Sequence, residues 1–105
     1  MDTSKILKTA LTALEDLKAG NVISINVSKV SSVTDYMVIA SGTSSQHVKS
    51  IANNLRVDAK QAGIAILGFE GEANGEWILA DLGDVVVHIM QPEVREYYQL
   101  EKLWA

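Results

Sequence analysis

The chain has 105 residues, 48% of them hydrophobic, a formal net charge of −4 and no cysteine. This length suits one domain over residues 1–105 with a single core, and the missing cysteines exclude disulfides, thiol nucleophiles and thiolate metal sites. The apolar runs are as short as Val85-Val86-Val87 and residues 1–5 lack the regions of a signal peptide, so a cytoplasmic protein is expected.

Residues 4–19 carry Ile6, Leu7, Ala10, Leu11, Leu14 and Leu17 at helical spacing. Thr3 or Ser4 is placed to cap this helix and Gly20 to end it. Residues 21–27 place Val22, Ile23, Ile25 and Val27 around Ser24 and Asn26, the pattern of a strand with one covered face. After a polar connection, residues 36–40 form a continuous apolar run, which predicts a central strand buried on both faces. Gly42-Thr43-Ser44-Ser45 breaks the strand and opens a helix over about 45–62, with Ser44 or Ser45 as N-cap and Gly63 closing it. Residues 64–69 read as a third strand. Residues 76–82 and 85–90 form a hairpin around Gly83-Asp84. Pro92 starts a last helix that runs to about residue 103. The expected fold is α/β, a single domain in the order α-β-β-α-β-β-β-α, with a mixed five-stranded sheet flanked by helices.

With Gly83 and Asp84 as turn residues, Leu82 faces Val85, Ala80 pairs with Val87 and Ile78 with Ile89, a wholly apolar face for the core. The other face pairs Trp77 with Met90, Leu79 with His88 and Asp81 with Val86. A buried face does not carry Asp81 and His88 without partners, and a plain solvent face does not carry Trp77 and Met90. Two readings stand: a binding surface, since Trp and Met are enriched in interface cores, or a face covered by the C-terminal helix. On that helix Leu100, Leu103 and Trp104 share a stripe suited to core packing, and Tyr98 points elsewhere, free for an exposed contact.

Charge is unevenly spread. Residues 1–67 hold seven Lys/Arg against five Asp/Glu, and residues 68–105 hold two against eight. Nucleic-acid binding needs the opposite sign. A solvated surface accounts for the acids, and so does a basic protein partner. The candidate contact residues are therefore Trp77, Met90 and Tyr98, with Asp81, Glu70, Glu72 and Glu101 as charged support.

An enzyme reading rests on the strand-Gly42-Thr43-Ser44-Ser45-helix junction, which could offer backbone N–H groups to a phosphate. Nucleotidyltransferases use a similar junction, but they need metal-binding carboxylates on a following strand, and residues 64–69 have none. A helix cap is the simpler role. His47 and His88 sit in no ligand spacing, and no P-loop, nucleophile elbow or dinucleotide fingerprint is present. No catalytic residue, metal or cofactor is expected.

Three segments carry a family resemblance. They are Thr34-Asp35-Tyr36-Met37-Val38-Ile39-Ala40-Ser41-Gly42-Thr43-Ser44-Ser45-Gln46-His47; Gly71-Glu72 through Glu76-Trp77-Ile78-Leu79-Ala80-Asp81-Leu82-Gly83-Asp84-Val85-Val86-Val87-His88; and Tyr97-Tyr98-Gln99-Leu100-Glu101-Lys102-Leu103-Trp104. In this order and spacing the chain resembles the RsfS/Iojap family of ribosomal silencing factors. The resemblance implies a nucleotidyltransferase-like fold without its active site. It also implies binding to the fourteenth large-subunit ribosomal protein, a steric block to subunit joining under nutrient limitation, and self-association as a homodimer. No membrane and no sequence-specific nucleic acid are expected as partners. The alternative from another class is a nucleotide-binding enzyme using residues 42–45.

Overall fold

The computed structural model describes residues 2–104, with side chains as far as Leu103. Helix α1 spans Thr3–Asp16 and is capped by Asp2, whose carboxylate accepts the Lys5 N–H at 2.9 Å. The sequence pointed to Thr3 or Ser4. Asp caps as well as either, and Thr3 is instead used across the fold, its hydroxyl donating to Asp84 at 2.9 Å. The helix also stops short of Gly20. Lys18 takes the left-handed turn at φ 58°, and the Ala19 N–H returns to the Leu14 carbonyl. This is a Schellman closure with lysine where glycine is usual.

Strand β1 (Gly20–Asn26) follows, with a register shift between Gly20 and Ile23 against β2 (Tyr36–Ser41). Helix α2 (Ser45–Gln61) is capped by Ser44 and closed at Gly63, where the Ile64 N–H reaches the Ala59 carbonyl. That closure takes the Ile64 N–H, and the third strand, β3 (Gly68–Glu70), is shorter than residues 64–69 suggested. The hairpin strands β4 (Trp77–Asp81) and β5 (Val85–Met90) pair in the expected register, Trp77 opposite Met90 and Asp81 opposite Val86. The expected single C-terminal helix is two, α3 (Pro92–Tyr98) and α4 (Leu100–Trp104). They are broken at Gln99, which is left-handed at φ 48°.

The strands form one sheet in the order β1-β2-β5-β4-β3. Only β2 and β5 run parallel; the other neighbours are antiparallel, so the sheet is mixed. Its two faces are covered unequally. On one, Ile6, Ala10 and Leu14 of α1 and Val48, Ile51 and Leu55 of α2 pack on Val38, Ala40, Ile78, Ala80, Val87 and Ile89. On the other, Val27, Met37, Ile39 and Met90 form a smaller core over which Val94 of α3 and Leu100 of α4 close. β2 is thus buried on both sides. No helix of the described residues is long and apolar enough to cross a membrane.

Candidate partner-docking site

The second face is the one that sequence left open between a binding surface and a helix seat. The C-terminal helices cover part of it, and another part stays at the molecular surface. α3 and α4 seat on its far end, and Met90 there is fully buried. Met90 is therefore a core residue and not a contact residue: a completely buried thioether contributes about 1.5–3 kcal/mol to folding and offers a partner no surface. The stripe of Leu100, Leu103 and Trp104 does not form as a core stripe, because the break at Gln99 rotates α4. Leu100 packs inward, while Leu103 is 73% exposed. The Trp104 side chain lies outside the described residues.

Trp77 stands at the edge of this covered region, half-buried. Its indole Nε1–H donates to Nδ1 of His88 at 3.0 Å. An indole N–H can only donate, so His88 Nδ1 must be an unprotonated acceptor and the ring is neutral. Burial favours the same state and pushes the His88 pKa down to about 4. Tyr98 lies against Trp77 with ring centroids 4.9 Å apart, and Tyr97 meets Tyr98 edge-on at 5.0 Å. Tyr98 remains 51% exposed and Tyr97 81%. These rings make an aromatic step at the molecular surface, seated on a buried neutral imidazole. Gly71 helps place the step. With φ at 90°, it approaches the Trp77 backbone so closely that an added Cβ would collide with the Trp77 carbonyl oxygen.

The acidic candidates divide by face. Glu70 pairs in register with Leu79, so it shares the face of Trp77 and is exposed. Asp81 lies on that face too, four residues from Trp77 along β4, about 13 Å at the usual strand rise. One Asp81 oxygen is engaged at 2.9 Å by the Gly83 N–H, bracing the hairpin turn. Glu72 is elsewhere: it is paired with Arg56 of α2 at 2.7 Å, and the Arg56 guanidinium lies 4.2 Å over the Phe69 ring, on the side of α1 and α2. Glu101 is also engaged, by Arg95 at 3.1 Å. Burial works to raise the Glu101 carboxyl, but its own backbone hydrogen bond and Arg95 outweigh this and hold it below its usual value.

Arg95 was not singled out from sequence. It is buried, donating through Nε to Glu101 and through Nη1 to the Ser41 hydroxyl at 2.9 Å. Residues six apart do not meet on a straight helix, and only the break at Gln99 brings this pair together. Glu93 and Glu96 on α3 are exposed.

The residue 42–45 junction is built as a cap. The Thr43 N–H donates to His47 Nδ1 at 2.9 Å, the His47 N–H to Ser44 Oγ at 3.1 Å and the Gly42 N–H to the Met90 carbonyl at 3.0 Å. His47 Nε2 bonds the Leu17 carbonyl at 2.8 Å, tying α1 to α2. These groups are spent inside the fold. A Cβ on Gly42 would lie 2.7 Å from Val48 Cγ2, so glycine here permits strand-to-helix contact. Among the described residues no group of three or more His, Asp or Glu is placed to hold a metal ion.

The family model described as "Ribosomal silencing factor during starvation" matches residues 1–105, the whole chain. The chain belongs to the ribosomal silencing factor family. It is similar to the ribosomal silencing factor of Chromobacterium violaceum, 47% identical over all of this chain and 86% of that one. A crystal structure of a protein from that organism superposes with a TM-score of 0.97 at 47% identity, covering 99% of this chain and 87% of that one. A mouse protein named for mitochondrial assembly of the ribosomal large subunit is 36% identical over 88% of this chain and 42% of its own length. The chain is thus a translation-regulating, ribosome-associated factor by family, and the family description is a regulator's and not an enzyme's.

Proposed function

We propose that this silencing factor acts by occupancy. It docks on the large ribosomal subunit through that subunit's fourteenth ribosomal protein, stands where the small subunit must seat, and so lowers translation when nutrients are scarce. The observation that carries this reading is the aromatic step in which half-exposed Tyr98 lies 4.9 Å from half-buried Trp77, on a sheet face that also carries Glu70 and Asp81. Large rings at the surface are the usual anchors of a protein interface. Acidic residues on that face suit a basic ribosomal protein, steering encounter and suppressing wrong partners. The large subunit as platform is also what the mouse relative's name points to.

Sedimentation tests it. The factor is expected to travel with free large subunits, and adding it to purified subunits is expected to shrink the joined-ribosome peak. Protein that stays at the top of the gradient, or divides equally between the subunits, would overturn the reading.

A further inference from the structure

Arg95 is 7% exposed and grips two elements other than its own: Glu101 on α4 at 3.1 Å and Ser41 at the end of β2 at 2.9 Å. Between Arg95 and Glu101 the backbone turns at Gln99, left-handed at φ 48°, whose N–H returns to the Arg95 carbonyl at 2.8 Å. Tyr98 is the residue just before that elbow, and its ring lies 4.9 Å from Trp77. A left-handed glutamine is unfavourable by itself, so the elbow needs something to hold it. Leu100 supplies one hold by packing on the smaller core, while Leu103 is exposed and adds little. The guanidinium supplies the other, because its rigid fork serves two acceptors in fixed directions.

We propose that Arg95 is a positioning residue for docking: by clasping Glu101 and Ser41 together it closes the elbow and holds Tyr98 on Trp77, so that the aromatic pair meets its partner as one preformed surface. This rests on the docking reading above and says how its surface is kept ready. Rings already in place lose less freedom on binding, which is what preorganisation contributes to affinity.

The test uses the full chain with Trp104→Phe, which leaves Trp77 as the one indole of the two in the sequence. Arg95→Met/Glu101→Met removes both charges together, so neither is left buried alone. It is expected to keep the far-UV circular dichroism of the parent, to shift Trp77 emission to the red, and to bind purified large subunits about tenfold more weakly, one decade of affinity. Adding Tyr98→Ala should then change binding little, because both changes act through the same ring, whereas independent effects would multiply. Arg95→Lys, which keeps the charge but loses the fork, is expected to give the same emission shift at smaller amplitude. Parent-like Trp77 emission in both variants, or losses that multiply with Tyr98→Ala, would overturn the proposal. If the parent itself fails to bind subunits, the docking reading is at fault, and the emission measurement still decides whether Arg95 holds the ring.

Discussion

Trp77 and His88 fix each other's chemistry. The indole donates to Nδ1 of His88 across 3.0 Å, and the imidazole, 6% exposed, is thereby held neutral beneath the ring. Sequence placed Trp77 on the face opposite the wholly apolar one and left open whether that face is a binding surface or a seat for the C-terminal helix. The bond to His88 and the packing on the smaller core make Trp77 partly structural. Trp77→Phe should cost about 1–2 kcal/mol, since it keeps the ring but leaves a buried acceptor unpaired. Trp77→Glu should cost more, adding a carboxylate beside that core. Urea denaturation of the two variants beside the parent checks the order; a Trp77→Glu protein as stable as the parent would mean that Trp77 has no structural part.

Acid should weaken the fold in a particular window. His88 titrates near 6.5 when unfolded and at about 4 when folded, so between those values the unfolded chain binds the extra proton. Stability from this group is complete above about pH 6.5, declines as pH falls toward 4, and changes no further below that. The loss is on the order of 3 kcal/mol at about 1.4 kcal/mol per unit. Glu101, held below its usual value, adds its loss at lower pH. His88→Gln, whose amide oxygen can still accept from Trp77, should flatten the slope between pH 6.5 and 4 in thermal melts.

Charge and contact at the proposed docking face should separate. Tyr98→Ala should weaken binding to large subunits by about tenfold or more while shifting the melt little, because half of the ring is already in water. Asp81→Asn keeps an oxygen for the Gly83 N–H, and with Glu70→Gln it removes charge without loosening the turn. That pair should slow association at low salt and matter much less at high salt. Stopped-flow association at two ionic strengths measures this, and equal slowing at both would argue against charged support.

The junction before α2 should behave as a cap with a tight contact. Ser44→Ala should cost about 1 kcal/mol. Gly42→Ala should cost about 1–3 kcal/mol, as its methyl must displace Val48. Subunit binding should survive both once temperature is lowered to keep them folded. Metal-dependent nucleotide turnover abolished by Ser44→Ala would instead revive an enzymatic role.

Lys18 sits where glycine would be free of strain. Lys18→Gly should raise stability by about 0.5–1 kcal/mol, relieving the positive φ at an exposed site, visible as a higher melting temperature. An unchanged or lower one would mean that the added freedom of the unfolded glycine cancels the gain.

Much of this was legible because it depends on short-range periodicity. The hairpin register follows from two turn residues and strict alternation, so Trp77 opposite Met90 could be counted outward from Gly83-Asp84. The buried faces of α1 and α2 follow from helical spacing, and β2 from its unbroken apolar run. What sequence missed depends on which of two adequate residues the fold uses. Asp2 caps where Thr3 could have, and Lys18 turns where Gly20 could have. The elbow at Gln99 has no local signal at all, since glutamine is a good helix former. With the elbow hidden, the pairing of Arg95 with Glu101 was hidden too, and Leu103 and Trp104 were read as one stripe with Leu100. Glu72 was grouped with Glu70 by charge, although Arg56, distant in sequence, draws it to the other side of the sheet.

The parallel pairing of β2 with β5 governs when a newly made chain can fold. β2 lies against a strand that comes later by α2, β3 and β4. Until β5 has been synthesised, the apolar stretch from Tyr36 to Ala40 has one neighbour and an open edge, and α1 and α2 lack much of the surface they cover. Closure then joins distant parts of the chain, which makes folding slow compared with a helical bundle of this size. A nascent chain stopped before Val85 should expose that edge to other chains. A member of a ribosomal silencing family is therefore committed, by its own strand order, to having every residue up to Met90 made by a ribosome before its sheet can close.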